Sequence, residues 1–209
     1  MRILVACEYS GRVRDAFTLL GHDAMSCDLL PTESSGNHYQ GNVLEILNDG
    51  WDLLIAHPPC TFLTNAQSWT YYHPADKHLE AHKRRPHPKF PDRLQQQKEA
   101  VLFFKTLKEA QIPKICIENP VPMGVVIHEV GPYTQTIQPY MFGEDASKRT
   151  CLWLKGLPPL IPTNFIKKRI YANQTPSGQN KLGPSPDRWK ERSRTYQGIA
   201  NAMAAQWSQ

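Results

Sequence analysis

Over the first 120 residues, short unbroken apolar runs alternate with longer stretches of helical spacing. Arg2-Ile3-Leu4-Val5-Ala6 is too brief for a helix and reads as a buried strand, followed by a turn at Cys7-Glu8-Tyr9-Ser10-Gly11. An amphipathic stretch then runs to Leu20 and is closed by Gly21. Asp23 to Cys27 predicts a second strand ending at Asp28, and Trp51 to Ala56 a further buried strand ending at His57-Pro58-Pro59-Cys60. Ala100, Phe103, Phe104 and Leu107 have helical spacing; Pro113 and the strand Lys114 to Ile117 come next. Strands that alternate with helices predict an α/β fold, a mostly parallel sheet with helices on both faces. Ligands of such sheets sit beyond the carboxyl ends of the strands.

Composition narrows the class. At 209 residues with 40% apolar positions, the chain fits one domain, 1–209, whose core needs no disulfide or metal staples. Its five cysteines include no CxxC pair, and no apolar run has signal-peptide or membrane length. The expectation is a soluble cytoplasmic protein with free thiols and no membrane contact. The net charge of +5 is unevenly placed. Residues 66–93 carry six Lys/Arg against three Asp/Glu, and residues 157–194 carry eight against two. Two basic, proline-rich arms on a mildly acidic body suit either a polyanion or ordinary solvated loops. His73, His78, His82 and His87 lie in the first arm, His78 and His82 one helical turn apart in spacing. No cysteine joins them, and Lys83, Arg84 and Arg85 would repel a dication, so no metal is expected. Trp69, Tyr71 and Tyr72 of this arm suit base stacking or plain packing.

Four strand ends carry candidate chemistry. The turn Glu8 to Gly11 opens a helix, whose free N-terminal amides can hold an anion or a polar cofactor end. The GxGxxG dinucleotide fingerprint is missing, which disfavours NAD and FAD. Asp28 stands where an acid commonly receives a ribose diol, or alternatively caps a turn. Two prolines stiffen the backbone ahead of Cys60 and aim its thiol beyond a strand end, as a nucleophile or as packing. Glu118, followed by Asn119-Pro120, places a carboxyl at another strand end, with the Asn-Pro bend expected to hold its direction.

A strand ending in Pro58-Pro59-Cys60, followed by one ending in Glu118-Asn119, resembles the cytosine-5 DNA methyltransferase family. It is closest to small phage-type members that lack a full target-recognition domain. The resemblance implies a Rossmann-like S-adenosylmethionine-dependent methyltransferase fold. It assigns Cys7, Glu8, Tyr9, Ser10, Gly11, Asp28, Leu29, Asn42, Val43 and Pro58 to S-adenosylmethionine, or to a modified form of it. Asn42 stands where the family usually has Asp. Gln138 to Gly143 with Lys148 and Arg149 looks like the family's FG-plus-basic motif, and Tyr196 to Ala200, opening a helix to Trp207, like its closing motif. The implied partner is DNA, with Lys83, Arg84, Arg85, Lys148, Arg149, Lys167, Lys168 and Arg169 on phosphates. The implied place is the cytoplasm, including that of a phage's bacterial host. The implied chemistry is thiolate addition by Cys60 to carbon 6 of cytosine, with Glu118 as a protonated acid on N3. Burial against a flipped base and the absence of Lys or Arg within residues 115–123 both argue for a raised Glu118 pKa in the complex with the base. His57 is expected to contribute little. Two alternatives keep the residues and change the role: the same chemistry on a free pyrimidine nucleotide, or a catalytically silent nucleic-acid-binding protein.

Overall fold

A computed structural model describes residues 1–208. The predicted alternation of short strands and helices is present. Seven strands, β1 (Arg2–Ala6), β2 (Asp23–Asp28), β3 (His38–Gln40), β4 (Leu53–Ala56), β5 (Lys114–Pro120), β6 (Gln135–Ile137) and β7 (Thr150–Lys155), form one sheet in the order β3-β2-β1-β4-β5-β7-β6. The pairs β1–β2, β2–β3, β1–β4 and β4–β5 are parallel, and β7 runs antiparallel to both β5 and β6. Among the described residues the α-helices are α1 (Arg12–Thr18), α2 (Arg93–Lys108), α3 (Gly124–Val130), α4 (Arg188–Ser193) and α5 (Gln197–Trp207).

The period of two along each strand explains why helices cover both faces. Ile3, Val5, Leu53, Ile55, Cys116 and Leu152 face α1 and α5, packing on Phe17, Met203 and Trp207. Leu4, Ala6, Leu54, Ala56, Ile115 and Ile117 face the other way, toward Val101, Phe104 and Leu107 of α2 and Val126 of α3. Buried on both sides, these strands read as continuous apolar runs. On α2 the stripe Gln97, Val101, Phe104, Leu107 is buried, whereas Leu102 is exposed. The N-terminus of α5 docks against the 139–144 turn. The Gly198 N–H donates to Glu144 Oε1 at 2.7 Å, and a Cβ at Gly198 would lie 1.9 Å from the Phe142 carbonyl oxygen.

Two expectations change. β5 does not end at Ile117 but continues through Glu118, Asn119 and Pro120, because β7 extends alongside it and pairs Glu118 with Leu152 and Asn119 with Cys151. No Asn-Pro bend therefore orients Glu118; extended pairing does. The arm 66–93 is not a loose loop either. It folds into short 3-10 turns at Asn65–Thr70, Pro74–Asp76 and Ala81–Lys83, with Thr70, Tyr71, Asp76 and His87 buried. His78 and His82 fall on separate segments rather than on one helix. Among the described residues no helix is long and apolar enough to cross a membrane.

Candidate active site

β1, β2 and β4 end together at one edge of the sheet, and β5 overshoots them. Ala6 pairs with Cys27 and Ala56, and Ala56 with Ile117, so Glu118 is the first β5 residue beyond the end of β4. The 57–60 loop, which leaves that end of β4, is held by three bonds. The His57 N–H donates to the Ala6 carbonyl at 2.9 Å. Asn119 Nδ2 donates to the Pro58 carbonyl at 3.0 Å, and His57 Nδ1 bonds Glu118 Oε2 at 2.7 Å. Consecutive β5 residues thus seize consecutive loop residues, which is possible only because β5 runs past its neighbour.

Cys60, at the end of this loop, is partly exposed, whereas Cys27, Cys116 and Cys151 are buried. Burial pushes the Cys60 thiol up, while the positive charges of Lys148 and Arg192 oppose that shift and Glu118 adds to it. The geometric link between the two segments is Asn119, next to Glu118, which holds Pro58 two residues before Cys60. Cys7 shares partial exposure, but burial pushes its thiol far up and Asp28 adds to that. Of these two thiols only Cys60 has cations, Lys148 and Arg192, opposing the rise.

Without a base beside it, Glu118 is ionised, and the premise that no cation lies near it does not hold. Burial favours its neutral form, but His57 and Lys148, the latter with Nζ 3.9 Å from Oε1, outweigh it and hold the carboxyl down to about 2. The sequence argument fails because both cations arrive from other parts of the chain, the β4 end and the loop before β7. Burial lowers the His57 pKa, but Glu118 and, more distantly, Glu8 raise it above the ordinary histidine value overall. His57 is therefore a built part of the site and not the bystander expected. The signal that would have found it is a histidine at the end of a buried strand, directly before two prolines.

At the end of β1 the turn is strained: Cys7 has φ 58° and Gly11 φ 73°, the latter with Ser34 Oγ only 2.2 Å from where a Cβ would stand. The amides at the start of α1 are not free, as expected, to hold an anion. Glu8, itself buried, turns its carboxylate onto them, accepting from Val13 N (2.7 Å), Arg14 N (3.2 Å) and Ser10 Oγ (3.3 Å). Burial nonetheless raises its pKa. Cys7, Glu8, Tyr9 and Ser10 line a narrow cavity with His57, Ser193, Arg194 and Thr195. His57 Nε2, buried, has no partner among the described residues. At the neighbouring strand ends, Asp28 Oδ1 accepts from Leu30 N at 2.9 Å, and burial raises the Asp28 carboxyl. Leu29 beside it is 74% exposed. The Gly41 N–H donates to the Asp28 carbonyl at 3.0 Å and so brings Asn42 next to Asp28. Asn42 Oδ1 caps Leu44 N at 3.1 Å, and Val43 is buried.

The residues assigned to phosphates divide. Lys148 sits on Glu118. Lys83 pairs with Glu80 at 2.8 Å; Arg84 donates to the carbonyls of Leu79 (2.7 Å) and Lys77 (3.1 Å); Arg85 grips the buried Asp76 carboxylate through Nε and Nη2. These three staple the first arm to itself. Tyr71 is buried, its hydroxyl donating to the Phe62 carbonyl, which leaves exposed Trp69 rather than Tyr71 as the arm's surface ring. Arg149, Lys167, Lys168 and Arg169 are exposed; Lys168 pairs with Asp145.

No protein-family model matches the chain, and no curated protein matches it. Among solved structures it is similar to a DNA modification methyltransferase encoded within a prophage of E. coli, at 15% identity and a TM-score of 0.45 over 78% of this chain and 51% of that one. It is also similar to the Entamoeba histolytica methyltransferase EhMeth (14% identity, TM-score 0.46, 78% and 57% covered). A third is the S. pombe Dnmt2 methyltransferase (14%, 0.37, 76% and 50%). The chain spans about half the length of each.

Proposed function

We propose that this chain transfers a methyl group from S-adenosylmethionine, or a modified form of it, to carbon 5 of cytosine in DNA through a covalent Cys60 adduct. The observation that carries the reading is the joining of the Cys60 loop to Glu118 and Asn119 at the sheet's carboxyl edge, through His57 and Pro58. A thiol and a carboxyl held together beyond the strands of a Rossmann-like sheet suit addition to an electron-poor ring, where neither group suffices alone.

The residues present fit a nucleoside sulfonium. An orphaned, buried His57 Nε2 belongs to a residue lining the Cys7–Ser10 cavity, and Asp28 with exposed Leu29 offers a carboxylate and an apolar surface beside it. Cys7 to Gly11, Asp28, Leu29, Asn42, Val43 and Pro58 would hold the donor, which supplies an electrophilic methyl. Cys60, once deprotonated, forms its bond from sulfur to carbon 6 of the cytosine, and the ring electrons move toward N3 and carbon 5. N3 takes up a proton drawn ultimately from solvent, and Glu118, facing it as a carboxylate, stabilises the proton there. After carbon 5 is substituted, loss of its proton breaks the sulfur–carbon bond and frees the thiolate. Within a duplex these ring atoms are out of reach, so the base must be flipped or single-stranded.

The internal pairing of Lys83, Arg84 and Arg85 favours, as a second reading, a substrate smaller than DNA, a free pyrimidine nucleotide. One experiment tests both. Labelled donor is incubated with DNA containing 5-fluorocytosine and, separately, with dCMP. A donor-dependent, gel-shifted DNA adduct lost in Cys60→Ser supports the proposal; label in dCMP alone selects the smaller substrate. Label in neither, or transfer undiminished in Cys60→Ser, refutes the Cys60 mechanism.

A further inference from the structure

We infer that His57 is a positioning residue for Glu118: it clamps one carboxylate oxygen, leaves the other to face the base, and through its own protonation sets the alkaline limit of the reaction. The inference rests on the reading of Glu118 as the group that meets the base.

Four observations carry it. The His57 Nδ1–Glu118 Oε2 bond is 2.7 Å long, and both side chains are about nine-tenths buried, so the contact excludes water. The His57 backbone is itself pinned to Ala6, and Asn119 pins Pro58, so the Cα that carries the imidazole is fixed on the same loop as Cys60. Glu118 Oε1 points elsewhere, toward Lys148 at 3.9 Å, a distance longer than a hydrogen bond. Finally, the charged groups around His57 are few and known. Glu118 comes from β5 and Glu8 from the β1–α1 turn, both favouring the imidazolium, while Lys148 from the loop before β7 opposes it. Asp28, at the end of β2, feels the His57 charge as well. When rising pH strips the proton from His57, two buried carboxylates at positions 8 and 118 lose the cation between them, and Lys148 alone balances Glu118. The pair then holds no proton to hand through Glu118 to N3 as the thiolate adds, and the rate falls on the alkaline side.

Two variants separate position from charge. Asn in His57→Asn places an amide N–H near Nδ1 and keeps the clamp without titrating; Ala in His57→Ala removes both. Turnover on cytosine-containing DNA is followed across pH 5 to 10 for each. Wild type is expected to lose rate on an alkaline limb above the ordinary histidine range. His57→Asn should retain part of the rate while losing that limb, and His57→Ala should drop by about a hundredfold or more. In parallel, ring-proton NMR of labelled histidines follows His57 in wild type and in Glu118→Gln, with no substrate present. The His57 pKa should fall in Glu118→Gln. An alkaline limb that survives His57→Asn, or a His57 pKa unmoved by Glu118→Gln, overturns the inference. If wild type forms no fluorocytosine adduct, the functional reading fails on its own, and the NMR arm still decides whether His57 and Glu118 titrate as a pair.

Discussion

The His57–Glu118 pair should leave a pH signature in the stability of the fold itself. The Glu118 carboxyl is held at about 2 against an ordinary 4.5. At 1.36 kcal/mol per unit of pKa, that difference corresponds to about 3 kcal/mol of preference for the folded state. The pKa is depressed, so this contribution is present above the unfolded value and is lost as pH falls from about 4.5 toward 2. The His57 pKa is raised, so its side of the same contact is complete below the ordinary 6.5 and is lost as pH climbs through its higher folded value. The two describe one interaction and are counted once; its full strength lies between about pH 4.5 and 6.5. Gln in Glu118→Gln keeps the shape and a hydrogen bond but no charge. It should therefore cost about 3 kcal/mol in that window, or a fall in Tm of roughly 6–12 °C for a chain of this size. Below about pH 4.5 the cost should shrink, because wild type progressively forfeits the same interaction. Urea unfolding from pH 3 to 8, read by the fluorescence of buried Trp153 and Trp207, measures it. A wild-type-to-variant difference that is constant across this range, or below about 1 kcal/mol at pH 6, would refute the assignment of an ion pair. Replacing both partners by Leu is a useful control, since an apolar pair of similar volume can match or exceed a buried ion pair.

Gly198→Ala should destabilise the chain by roughly 1–3 kcal/mol or more, because the new methyl would lie 1.9 Å from the Phe142 carbonyl oxygen, a backbone atom that cannot rotate aside, and α5 must shift; thermal unfolding reads this directly. On DNA, neutralising Arg149, Lys167 and Arg169 together should flatten the log–log salt dependence of binding by about two to three units if each displaces a counterion. The same triple change at Lys83, Arg84 and Arg85 should instead loosen the 74–93 arm, visible as proteolysis there, since those side chains already hold Glu80, Asp76 and local carbonyls. A flattened slope with an intact arm in the second triple would reverse that division of roles.

The sheet was legible in the chain alone wherever burial on both faces forces every position of a strand to be apolar, as at Ile3 to Ala6 and Leu53 to Ala56. Cys60 and Glu118 stood out for a related reason, as polar residues that follow such runs, but that their segments are joined through His57 and Pro58 is a tertiary fact. β5 hid its true end because Glu118 and Asn119, polar by type, pair with β7 residues more than thirty positions away, a contact with no local trace. The basic arm was ambiguous for the same reason; a cluster of Lys and Arg has one composition whether its side chains stand free or, as exposed Arg85 does, also hold a buried Asp76 nine residues back. Ionisation was the least legible of all. The field at Glu118 is set by His57 and Lys148, 61 residues before it and 30 after. Covalent chemistry is a property of residue type, which sequence carries. The charge state of a buried group depends on distances through a low dielectric, and those distances exist only once β4, β5 and the loop before β7 have met.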